Sequence, residues 1–242
     1  MKKLLTIILA MLSTMFVSTS CNDDFQETLS AMVTVVDGSY DVSYSIRFGD
    51  GKTAYVTNTS KFNFSFPAEL DGEQRAIIYY YLEDEVKPGY DHVITLVDAG
   101  TVPTVIAKPS DRIDVALDAY VDKVSIQDPS FTDNKYITML LSFMGNKPDV
   151  NTHKFALVYN NNVDKSGVFQ HSYPKSDDGY LWLELYHYRG TDVEAEPYYL
   201  YNSFKITPKQ LGVKEFSEYK GIKILHKPIG KVDVTEITTI KF

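Results

Sequence analysis

Cysteine is nearly absent: Cys21 is the only one in 242 residues, so no intramolecular disulfide can form and the fold must be held by its core. Basic charge is in deficit, with 24 Lys and Arg against 32 Asp and Glu. Nucleic-acid affinity rests on cations that neutralise phosphates, and an acidic chain with no basic stripe excludes DNA and RNA as partners. The chain contains no P-loop, no Gly-x-Gly-x-x-Gly and no Gly-x-Ser-x-Gly elbow. Its histidines, His92, His153, His171, His187 and His226, form no closely spaced ligand pair, so neither a metal nor a cofactor is expected. Asp91 and His92, adjacent on a strand, point to opposite faces and make no dyad. The acid pairs Glu194 with Glu196 and Asp177 with Asp178 sit in polar turns, where carboxylates are solvated surface, so no enzymatic activity is expected. Asp177-Asp178-Gly179 and Asn160 to Asp164 are rich in calcium-type oxygens, but no complete EF-hand loop is present.

Long apolar runs are also scarce. The longest is the uncharged Leu4 to Val17, which follows Lys2-Lys3 and precedes Ser18-Thr19-Ser20. As a helix it would span about 21 Å, short of the ~30 Å bilayer core, and its flanks are those of a signal peptide over residues 1–20. Small residues before Cys21 resemble a bacterial lipobox, with Ser18 where leucine is usual, which predicts a lipid anchor on Cys21. Several acyl chains, at ~0.8 kcal/mol per buried methylene, hold a protein on a bilayer durably. The acidic patch Asn22-Asp23-Asp24, running on to Glu27, resembles the export signal of surface lipoproteins in Bacteroidetes. Residues 21–27 are therefore expected to be a lipidated tether in the cell envelope, on an outer membrane and facing outward. Removal of Lys2 and Lys3 with the leader lowers the net charge from −8 to about −10.

Tyr and Phe are abundant, 18 and 13, and they alternate in short segments punctuated by Gly, Asp, Asn and Pro. That is the texture of strands and hairpins, with no long helix. Tyr40, Val42, Tyr44, Ile46 and Phe48 share one strand face; Asp50-Gly51 turns the chain and Thr53 to Thr57 returns. Phe62, Phe64 and Phe66 suggest another strand, followed by a turn at Asp71-Gly72 and strands over 75–82 and 90–97. The pattern loosens between Thr101 and Asp114, which places a boundary between a domain of residues 28–108 and a domain of residues 109–242. Seven further strands are expected, at 121–126, 136–143, 153–159, 180–188, 198–206, 222–225 and 234–241. Thr207-Pro208 should cap a short helical turn. The count implies an all-β chain, a small barrel followed by a β-sandwich.

The order of parts resembles the NigD-like lipoproteins of Bacteroides and relatives. The resemblance rests on Cys21 followed by acids, on Asp50-Gly51-Lys52-Thr53, and on Asp71-Gly72-Glu73-Gln74-Arg75 leading into Ala76 to Leu82. It continues through Gly89-Tyr90-Asp91-His92-Val93-Ile94 and Tyr180 to His187. It implies an OB-like N-terminal barrel, a C-terminal β-sandwich and an immunity-type role beside bacteriocins, and it carries over no catalytic residue.

Within 180–188, Leu181, Leu183 and Leu185 share the face expected to be core. Trp182, Glu184, Tyr186 and Tyr188 share the other. Trp182, Tyr186 and Tyr188 are therefore the candidate ligand-binding aromatics, a stripe that would stack on sugars or dock on a protein if exposed and would otherwise pack against the other domain or a loop. The functional expectation is a non-enzymatic envelope lipoprotein that binds a protein or glycan. A surface carbohydrate-active hydrolase and a pilus-like structural accessory are the alternatives.

Overall fold

The computed structural model describes residues 26–38, 43–112, 122–146, 149–161 and 169–242, and for 149, 150 and 170 the backbone only. Cys21, the expected leader and most of the expected tether lie outside the described residues.

The first module is a closed barrel of β1 (Leu29–Asp37), β2 (Tyr44–Phe48), β3 (Thr53–Val56), β4 (Glu73–Glu83) and β5 (His92–Thr101). The barrel order is β1-β2-β3-β5-β4, with β3 and β5 parallel and β4 closing back on β1, the arrangement of an OB-type barrel. Val33, Val35, Ile46, Ala54, Ile78 and Ile94 fill it. Gly51, at φ 86°, makes the β2–β3 turn, a conformation that favours glycine.

Two expectations are corrected here. Strand β1 was not foreseen, because its outward residue Thr34 is as buried as the inward Val33 and Val35, and a strand covered on both faces shows no clean alternation. The expected strand at Phe62 to Phe66 does not form. In a closed barrel β3 is already paired by β2 on one side and β5 on the other, so no edge remains for it. The segment instead packs against the barrel core, with Phe64 edge-on to Tyr44 at 5.0 Å.

The chain leaves the barrel after Thr101 and enters two facing sheets through β6 (Thr104–Ile106) and β7 (Lys108–Pro109). The later strands are β8 (Ser125–Thr132), β9 (Tyr136–Gly145), β10 (Lys154–Tyr159), β11 (Leu181–Tyr188), β12 (Glu196–Lys205), β13 (Gly221–His226) and β14 (Glu236–Lys241). One sheet runs β14-β13-β11-β10-β7 and the other β6-β12-β9-β8. Their core contains Met139, Leu141, Leu183, Leu185, Phe204 and Ile224, so the leucine face of β11 points inward as expected. The short helix α1 (Pro208–Leu211) begins as the sequence indicates: Thr207 Oγ1 accepts from the Gln210 amide at 3.2 Å, with Pro208 at the first helical position.

The modules are joined by buried charge. The β8–β9 hairpin turns through Asp133 and Asn134, both at positive φ, and its tip meets the outer face of β1, β2 and β4. Glu73 accepts from Arg47 at 2.8 Å, Lys135 at 2.7 Å and the Tyr136 hydroxyl at 2.6 Å. Asp133 accepts from Thr34 Oγ1 at 2.7 Å and pairs with Arg47 at 3.1 Å. Arg75, 1% exposed, donates Nη1 to Thr34 Oγ1. Its Nε and Nη2 find no hydrogen-bond acceptor among the described residues, but the guanidinium lies 5.3 Å from the Tyr136 ring centre, and the negative π face offsets part of the burial cost. Lys205 pairs with Asp71 beside this cluster.

Burial alone would raise the pKa of Glu73, but the hydrogen bonds from Lys135, Tyr136 and Arg47 outweigh it and hold the pKa below its ordinary value. A depressed folded-state value means that this stabilisation is present above the unfolded carboxyl range and is lost as pH falls through the lower folded value. Glu73→Gln is expected to lower stability by about 2–4 kcal/mol, because it leaves buried donors imperfectly paired. Urea unfolding monitored at neutral pH and near pH 3 checks this: the variant should be weaker at neutral pH and lose less on acidification.

Candidate functional site

The predicted aromatic stripe lies on the outer face of the five-stranded sheet, and Phe169 and Tyr173 pack over Tyr186 and Trp182. Tyr186 is 3% exposed and packs with Phe169, Val158 and Leu225, so it offers no open face to a ligand. Trp182 and Tyr188 are half-buried. The Trp182 indole donates to Asp178 Oδ1 at 3.0 Å, its ring lies 5.7 Å from that of Tyr173, and the Lys223 ammonium sits 4.8 Å above it. Glu184, fully buried between them, accepts from Tyr173 OH at 2.7 Å, Tyr186 OH at 2.6 Å and Asn160 Nδ2 at 3.0 Å. The stripe is thus an anchor for its own overlying segment. Of the two outcomes the sequence leaves open for the stripe, packing under a loop is the one found for Trp182 and Tyr186, a choice that local alternation cannot reveal.

A different assembly, not anticipated, forms where β9 and β11 end and β10 begins. His153 Nδ1 is 2.8 Å from His187 Nε2, His153 Nε2 is 2.8 Å from Asp192 Oδ2, and His187 Nδ1 is 2.9 Å from the Lys123 carbonyl. All three side chains are buried. The carbonyl can only accept, so His187 donates from Nδ1, and its Nε2 accepts from His153 Nδ1. The ionised Asp192 can only accept, so His153 donates to it from Nε2. Burial pushes the His187 imidazolium pKa down to about 4, helped by the neighbouring His153 charge. Burial would raise the Asp192 value, but donation from the Asn146 amide, His153 and the Val193 amide holds it below the ordinary range. His226 repeats the pattern, donating Nδ1 to the Val124 carbonyl at 3.0 Å, with its own value lowered by burial. Two neutral histidines of one sheet therefore hold successive carbonyls of the segment entering β8.

The residues of this line are separated by 34 and 39 positions, so no motif spacing announces them. Only the β10–β11 register, which sets Phe155 opposite His187, would have brought the strands into line. Beside His187 lies a cleft of about 260 Å³ lined by Lys123, Met144, Arg189 and Glu194, with Arg189 bridging Asp122 and Glu194. A larger groove of about 580 Å³ is floored by Phe131, Phe216 and Ile240. A third hollow, about 310 Å³, opens at one end of the barrel between Met32, Phe48, Tyr80, Leu82 and His92. No described helix is long and apolar enough to cross a membrane.

A model of the NigD-like C-terminal beta sandwich domain matches residues 110–239, more than half of the chain. The chain belongs to the NigD-like family. Solved structures share the fold of this NigD-like chain over nearly its whole length. A protein of unknown function from Bacteroides vulgatus aligns with a TM-score of 0.63 at 22% identity, covering 89% of this chain and 91% of that one. A candidate lipoprotein from Bacteroides fragilis aligns at 0.62 and 14% identity, covering 89% and 98%. A NigD-like immunity protein from Bacteroides caccae aligns at 0.55 and 18% identity, covering 89% and 94%. No curated protein matches the chain.

Two outcomes follow. The chain has a single tryptophan, so Tyr173→Ala, which uncovers Trp182, should shift its emission to the red and raise its quenching by iodide. His187 stays neutral in the fold but charges near pH 6.5 when unfolded, so the unfolded state binds the extra proton and stability falls as pH drops from about 6.5 toward 4, by roughly 3 kcal/mol. Denaturant titrations across that range should show a shallower loss for His187→Asn, which keeps a donor for the Lys123 carbonyl but cannot take up the proton.

Proposed function

We propose that this NigD-like protein is a cell-envelope lipoprotein, anchored through Cys21 and exposed at the cell surface, that works by binding a protein or glycan without catalysing a reaction. The observation that carries the reading is the buried Glu73–Asp133 junction. It locks two β modules into one body, which suits recognition by a surface of fixed shape. The imidazole–carboxylate line supports it too: each ring nitrogen of His153 and His187 already has a partner, so the line is spent on tying strands together. The solved relatives described as a lipoprotein and as an immunity protein favour envelope attachment and, as a second reading, protection against a bacteriocin by direct capture.

The anchor is tested by fractionation: wild type should sediment with membranes and carry an acylated N-terminal Cys21, while Cys21→Ser should move to the soluble fraction. A wild-type protein recovered soluble with a free thiol would sink the placement. Binding is tested by pull-down from surface extracts and by glycan arrays with folded protein, and the immunity reading by bacteriocin challenge of a deletion strain. Unchanged survival would retire the immunity reading.

A further inference from the structure

Where the tether joins the barrel has a geometric consequence. Gln26 Nε2 donates to the Leu82 carbonyl at 2.8 Å, and β1 begins at Leu29, paired with Tyr80 of β4. Four residues lie between Cys21 and Gln26, and the five Cα-to-Cα steps across them reach at most about 18 Å when extended. The same barrel end gathers the start of β1, the β2–β3 turn, the end of β4 and the start of β5, because Met32, Lys52, Leu82 and His92 line one hollow there. It also carries bare apolar side chains: Leu82 is 45% exposed, and Val86, in the loop from β4 to β5, is 87% exposed. The loop bears Asp84, Glu85 and Lys87, so its charge offers no attraction to anionic lipid, and contact would come from the short tether and the apolar tip.

The other module extends from its hairpin contact with the barrel. Strands β8 and β9 meet the barrel at their hairpin, Thr132 to Tyr136, and run from there to Ser125 and Gly145. The chain between β13 and β14 lies at that remote end, where the Ile229 amide donates to Ser125 Oγ, and Val232 there is exposed.

We propose that the barrel end bearing Leu82 and Val86 rests on the lipid bilayer, zwitterionic headgroups included, while the end of the sandwich bearing the His187–His153–Asp192 line is held outward. This rests on acylation of Cys21. A tether too short for free rotation turns an anchor into an orientation, and the outward end becomes the surface that a partner meets first.

The test uses the acylated full chain in phosphatidylcholine vesicles containing headgroup-region spin-labelled lipid. With Cys21 acylated, a cysteine introduced at Val86→Cys or Val232→Cys is the one free thiol for a fluorophore. The probe at position 86 should be quenched by the labelled lipid and the probe at 232 should not, and a Gly/Ser spacer of about 20 residues inserted after Asp24 should abolish the contrast. Equal quenching at both positions in acylated, co-sedimenting protein would overturn the orientation alone. Protein that fails to co-sediment and retains a free Cys21 thiol would overturn the anchor and the orientation together.

Discussion

Two carboxylates at the junction, Glu73 from the barrel and Asp133 from the sandwich hairpin, organise the cations that hold the modules together. Each would be costly to bury alone, and the strength of the arrangement lies in saturation: Glu73 has three donors and Asp133 has Thr34 and Arg47. The junction explains features of both modules at once. Thr34 is buried on the outside of a barrel strand because it relays between Arg75 and Asp133. The hairpin tip adopts two successive positive-φ residues because that tight turn carries Asp133 into the contact.

The sandwich uses the same logic at two other places. Glu184 gathers Tyr173, Tyr186 and Asn160 under the segment that covers the outer sheet face, and Asp192 gathers His153 and the Asn146 amide where the strands end. In all three places a buried acid is made tolerable by donors from segments distant in sequence, so each acid is also a tie between those segments. In a chain with one cysteine, which can form no internal disulfide, these ties add to the hydrophobic cores what cross-links supply in other proteins. They also shape the functional reading. The chemistry that looks reactive in isolation, imidazole beside carboxylate and tyrosine beside glutamate, is turned inward, and what faces solvent is loops, barrel end and grooves.

Much of the architecture is legible along the chain. The leucines at 181, 183 and 185 face the core, Gly51 and Gly179 turn the chain, and Thr207-Pro208 starts a helix, because each depends only on neighbours within a few residues. Strand β1 escaped because its outer face is covered by another module, and Phe62 to Phe66 misled because a closed barrel has no edge left to pair. The aromatic stripe was correctly assigned to one face of β11, yet whether that face meets water depended on Phe169 and Tyr173 folding back over it.

From its residues alone the chain declares an uncharged N-terminal run with a solitary cysteine after it, an acidic body and two runs of short strands, since composition, run length and alternation are local properties. Alternation tells which of two faces a side chain takes and nothing about what will lie against that face. The meeting of His153 with His187 and Asp192, of Glu73 with Lys135, and of Glu184 with Tyr173 was decided by barrel closure, strand register and docking of the modules, which bring together residues that no sequence window contains.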